Sequence, residues 1–216
     1  MSKKAYLIPG RWAIGSVAIL SLILAWSVMM QGLHILYDEN HMMEHLQLVL
    51  ILAAGVVFFR SDWCEMEDVS PETRKHLRWL AITATALMFS FLIREMSVKH
   101  SGIDWLIYMV DGRGFKILML AIWIPLLVIL GRNFSVYWGL MKQVMSSHFF
   151  LFAMMSMALL CVGAIFDKEI LKPEFFRFYE EVAELNGYAW LLASALAFER
   201  NMAEEQQDML LTAEAS

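Results

Sequence analysis

Apolar residues in this chain fall in blocks of about twenty, separated by short polar or charged stretches. A helix of that length rises far enough to cross a hydrocarbon core about 30 Å thick. Lipid offers no hydrogen-bond partner to an exposed backbone amide, so such blocks must be helices. The pattern predicts spans at 12–32, 41–60, 76–96, 113–131, 144–166 and 178–198, an all-α polytopic membrane protein with a bundle of about six transmembrane helices. Pro71 and Pro173 stand where helices would open ahead of the third and sixth spans. Between spans three and four, SVKHSGIDWLIYMVDG (97–112) holds an apolar stretch too short to cross. It predicts a short interfacial or re-entrant segment near 103–110, with Trp105 and Tyr108 at headgroup level.

Composition agrees with the pattern. Hydrophobic residues make up 59% and charged residues 18% of the 216 positions, against about 45–50% and about 25% in soluble domains. Lys3, Lys4 and Arg11 precede the first apolar block as in a signal peptide, but the block is long and has no clear small-x-small cleavage site. It reads as an uncleaved first span. Residues 1–198 form a single transmembrane helical domain in this reading, and 199–216 a polar cytoplasmic tail. No basic patch with interleaved aromatics occurs, which argues against nucleic acid as a partner. Cys64 and Cys161 make neither a disulfide framework nor a metal-binding pair.

Lysine and arginine set the orientation. With a cytoplasmic N-terminus, the inner side carries ten of the seventeen basic residues and the outer side seven, and loop 33–40 carries none. The expectation is a bacterial-type inner membrane with both termini cytoplasmic.

Charge at the span ends supplies the candidate chemistry. The clean apolar run of the last span, Leu185 to Phe198, is 14 residues, about 21 Å of helix. A full crossing therefore draws Glu180, Glu181 and Glu184 into the outer edge of the membrane. Span two has a clean run of 12 residues, Leu48 to Phe59, and needs Gln47, His45, Glu44 and His41 to complete it. Span three ends on Arg94 and Glu95, and span four starts just after Asp111 and Arg113. Alternating topology brings the ends of spans two, three, four and six to the same membrane face. Helical phase gathers Glu180, Glu181 and Glu184 within about 100° of one another, and sets Asn40, His41, Glu44, His45 and Gln47 in one polar stripe. Arg94 is expected to pair with Glu180 or Glu184. Ionisable residues at such depth are expensive and normally face a bundle interior or aqueous cavity.

These residues admit several chemistries. HMMEH, residues 41–45, matches the H-x-x-E-H pattern of the inverted zinc peptidases. His41 and His45 could share a divalent metal such as zinc, with Glu180, Glu181 or Glu184 as further ligands and Glu44 as acid/base. Arg94 would bind an anionic lipid headgroup or developing negative charge, beside Glu95. The outcome would be a metal-dependent membrane hydrolase acting at the headgroup level. Clustered carboxylates with Arg also suit proton- or cation-coupled transport. Haem ligation is disfavoured, since His41 and His45 share a helix while His148 lies toward the opposite face. Without catalysis, the same charges would form a buried ion-pair network in a membrane scaffold or accessory subunit, fixing helix register beside a membrane-protein partner. An E-E-x-x-E helix following an F-L-x-R-E span end is similar to bacterial multi-pass proteins, a likeness of two short motifs that implies no activity.

Overall fold

The computed structural model describes residues 7–31, 42–62, 71–96, 103–110, 112–145, 147–171 and 173–214. Among them every regular element is a helix: α1 (Leu7–Gln31), α2 (Met42–Asp62), α3 (Pro71–Glu95), α4 (Asp104–Val110), α5 (Arg113–Arg132), α6 (Phe134–Val144), α7 (His148–Asp167) and α8 (Phe176–Glu214). Four stretches are long and apolar enough to cross a membrane: Met42–Ser61, Arg74–Glu95, Arg113–Arg132 and His148–Asp167. In α1 the apolar part, Trp12–Val28, is shorter. The all-α polytopic membrane architecture follows.

In an apolar surround, hydroxyls must find partners at home. Ser21, Ser61, Thr83, Thr85 and Ser90 each donate to the carbonyl four residues earlier, at 2.7–2.9 Å. These bonds let polar residues ride in spans without an unsatisfied group. Pro125 lies inside α5 without ending it. Ser147 caps α7, its Oγ accepting from the Phe150 N–H.

The predicted short segment near 103–110 is the helix α4, whose Trp105 and Tyr108 are exposed. The sequence pattern carries the fifth span from 144, whereas α7 starts at His148 and a separate helix, α6, precedes it. The chain breaks at Asn133, which is the residue between α5 and α6 and whose Nδ2 donates to the Ile129 carbonyl. Burial pushes the Tyr137 phenol of α6 above its ordinary range. Its oxygen lies 3.3 Å from His76 Nδ1 on α3, with the two rings edge-on.

The centre of the bundle is α8. It packs against α7, α2 and α1, while α3 packs on α2. Ala183, Leu185, Tyr188, Ala189, Leu191, Ala193, Ser194, Ala195 and Ala197 are all buried, so α8 is covered nearly all round between residues 183 and 197. Small side chains explain the close approach. A Cβ placed on Gly187 would stand 2.9 Å from the Leu160 side chain of α7, and one on Gly163 of α7 would stand 2.7 Å from Glu184 Cγ. By contrast, the outward faces of α1, α5 and α7 expose Leu22, Trp26, Ile117, Leu127, Met154 and Met157. An apolar face of this kind suits lipid.

Candidate functional site

Each helix around α8 gives it a polar contact. From α1, the Ser21 Oγ accepts from Asn186 Nδ2 at 2.7 Å. From α2, Gln47 Nε2 donates to Glu181 Oε2 at 2.8 Å and to the Glu181 carbonyl at 3.3 Å. From α3, Arg94 Nη2 donates to Glu184 Oε1 at 2.8 Å, and Glu95 Oε1 accepts from the Tyr188 hydroxyl at 2.8 Å. From α7, the Phe149 carbonyl accepts from Ser194 Oγ at 3.2 Å.

The charged contacts gather at one end of the bundle, where α2 and α8 begin and α3 and α7 finish. Arg94 lies between two carboxylates, with Nε 3.4 Å from Glu95 Oε1 and Nη2 on Glu184. Length is the reason an arginine stands here. The backbone of α3 packs on α2, and only a long side chain with several donors can cross to α8 while also holding its own neighbour. Glu184 fits into the notch left by Gly163, and its side chain is 4% exposed against 47% for Arg94. Phe91 packs edge-on against the Tyr188 ring, walling the cluster from the apolar core below.

The structure thus brings together Arg94, Glu95, Glu181, Glu184 and Gln47. The expected pairing of Arg94 is with Glu184. Glu180 is half-buried at the start of α8, within electrostatic reach of Asp167, Arg177, Arg94 and Glu95. Glu44 is half-buried within reach of Glu181 and Glu95.

The polar stripe foreseen on α2 divides. Met43, Gln47, Ile51, Ala54 and Phe58 form its buried line. His45 stands two residues before Gln47, about 200° round the helix, and is exposed. Glu44 is only about 60° from Gln47 and stays at the edge of the cluster. His41 and Asp111 lie outside the described residues. Arg113 is exposed at the start of α5, which meets α3 through Trp123 Nε1 donating to Ser90 Oγ. Among the described residues, no group of three or more His, Cys, Asp or Glu is placed to hold a metal ion.

Two members were absent from the sequence expectation. Tyr188 lies four residues after Glu184 and shares its face of α8, so extending the acidic stripe by one turn finds it. Gly163 had no such signal, because its role depends on which residue of α8 it meets.

Chemically, the described residues of the site supply the Arg94 guanidinium and the carboxyls of Glu95, Glu180, Glu181 and Glu184, with Glu44 at its edge and Asp167 and Arg177 within electrostatic reach of Glu180. An anionic headgroup would find Arg94 already bonded to two carboxylates. The carboxyl surplus instead invites positive charge. Compared with protein-family models, curated proteins and solved structures, the chain matches none.

Proposed function

We propose that this chain is a multi-pass membrane protein whose carboxyl–arginine cluster takes up and releases protons or small cations, as the coupling site of a transporter. One observation carries the reading: among the described residues Glu95, Glu180, Glu181 and Glu184 gather around Arg94, which bonds only Glu95 and Glu184, while Arg177 is within electrostatic reach of Glu180. Charge of one sign in a low-dielectric setting is stable only when protons, cations or a partner's basic group balance it. The distribution of lysine and arginine supports a bacterial inner membrane with both termini cytoplasmic, which sets the cluster in the outer leaflet.

The hydrolase reading would need Glu44 and His45 to converge on α8, and His45 is on another face of α2. A non-catalytic scaffold is the second reading. It is favoured by the way α8 draws a polar contact from each of four helices, an arrangement suited to fixing register.

The deciding measurement is ion movement in proteoliposomes carrying the purified protein and an internal pH-sensitive dye, with and without an imposed sodium gradient. Dye response that falls at least tenfold in Glu184→Gln and Glu181→Gln supports transport. A response equal to that of empty vesicles, from protein that is folded, favours the scaffold.

A further inference from the structure

Gln47 is wholly buried, yet its amide is only half satisfied. Its nitrogen donates twice to Glu181, to the carboxylate at 2.8 Å and to the backbone carbonyl at 3.3 Å. The oxygen on the same carbon, Oε1, is buried without a donor among the described residues. A buried acceptor with no donor costs on the order of 1–3 kcal/mol, and such groups call for an explanation in terms of a missing partner.

The missing partner follows from what faces the amide. An ionised carboxylate only accepts, so it needs the nitrogen end of the amide, the arrangement described above. A protonated carboxyl also presents an O–H, which the amide nitrogen cannot accept and the amide oxygen can. The terminal torsion of a glutamine side chain is broad and roughly two-fold, so half a turn exchanges the two ends with little change of shape. Gln47 can therefore bond either form of Glu181: in the second form Oε1 gains the carboxyl O–H as its donor, and Nε2 gives up its bonds to the carboxylate and to the Glu181 carbonyl in exchange.

Glu181 is set apart from the other buried carboxyls. Glu184 and Glu95 bond Arg94, and Glu95 also accepts from Tyr188. Glu181 bonds Gln47, a neutral group, and has the carboxyls of Glu184, Glu44, Glu180 and Glu95 within electrostatic reach. It is half-buried rather than sealed, which leaves it a route to water.

We propose that Glu181 is the proton-binding carboxyl of the cluster and that Gln47 bonds its ionised and protonated forms in turn by rotating its amide. This deepens the proton- or cation-coupled reading and rests on it. In the binding step, hydronium from the outer surface gives its proton to a Glu181 carboxylate oxygen, forming an O–H bond and leaving water. The new O–H then donates to Gln47 Oε1. Release reverses both steps. Arg94, held by two carboxylates, keeps its charge and its place throughout. Gln47 is a positioning residue here, since it acts through Glu181.

Infrared difference spectroscopy of the full-length protein in proteoliposomes, between acid and alkaline buffer, tests the assignment. A C=O stretch of a protonated carboxyl is expected on acidification, lost in Glu181→Gln and displaced in frequency in Gln47→Leu. Should Gln47→Leu fail to fold, wild-type protein with carbon-13 in its glutamine side chains replaces it. Its amide C=O band is expected to shift together with the carboxyl band. A carboxyl band that persists in Glu181→Gln overturns the proposal. So does an amide band that stays still, or a Gln47→Leu spectrum identical to wild type. Vesicles that move no ions but keep the Glu181 band refute transport alone. Ion movement without the Glu181 band places the proton on another carboxyl.

Discussion

The Arg94 guanidinium and the Glu184 carboxylate meet at 2.8 Å, although the first is half exposed and the second almost wholly buried. Unequal burial makes the pair unequal under mutation. Removing Arg94 strands a buried charge, whereas removing the charge from Glu184 leaves Arg94 at the surface with Glu95.

Arg94→Ala should therefore destabilise more than Glu184→Gln, whose amide oxygen still accepts from Arg94. Breaking a buried pair costs about 3–5 kcal/mol when one partner goes, and the exposure of Arg94 reduces this to roughly 1–3 kcal/mol. Thermal unfolding midpoints in detergent check the order. Equal losses in the two variants would contradict the asymmetry.

Gly163→Ala would put a methyl group 2.7 Å from Glu184 Cγ. Overpacking of this kind costs about 1–3 kcal/mol, and here it should also loosen the Arg94 bond. Gly15→Ala is the control, since nothing lies within 4 Å of its added Cβ. Midpoints measured side by side should drop for the first and hold for the second. Combining Gly163→Ala with Arg94→Ala should give a loss smaller than the sum of the two.

Tyr188→Phe removes the donor to Glu95 while keeping the ring against Phe91. A hydrogen bond to a charged group contributes about 1.5–3 kcal/mol, so a clear fall in the unfolding midpoint is expected. A Tyr188→Phe protein as stable as wild type would mean that the Glu95 bond adds nothing.

Asn186 links α8 to Ser21 of α1. Interhelical hydrogen bonds in membranes average about 0.6 kcal/mol in double-mutant cycles. A cycle of Asn186→Ala and Ser21→Ala should return a coupling of that order, far smaller than one across Arg94 and Glu184.

At the other end of the bundle, burial raises the Tyr137 phenol above its ordinary range. As pH climbs past the usual tyrosine value near 10, the unfolded chain loses this proton before the folded one. The unfolded state then binds fewer protons, so stability falls as pH rises. Tyr137→Phe should flatten that alkaline loss, as read from unfolding midpoints taken across the range.

Much of this protein can be read along the chain. Runs of about twenty apolar residues dictate helices, because the backbone has no other way to satisfy itself in lipid. Counting the short clean runs of α2 and α8 pulls Gln47, Glu181 and Glu184 toward the membrane edge before any fold is known. Alternating topology then puts Arg94 beside them. The helix α6 was not legible in this way, since its eleven residues are too few to span and its start depends on the break at Asn133.

What only the tertiary structure decided is which faces meet. Helical phase sets Glu44 about 60° and His45 about 160° from Gln47 around α2, but it cannot say which side looks inward. Packing on α8 chose the line through Met43 and Gln47 and left His45 outside. The central place of α8, the most acid-rich of the apolar segments, was equally hidden. It arises because small residues there, and Gly163 across from it, let neighbouring helices come close enough to enclose Glu184. Sequence determined where each charge falls relative to the apolar runs, through length and hydropathy, which are local. Partnership is a property of two surfaces, and only the packed bundle determines it.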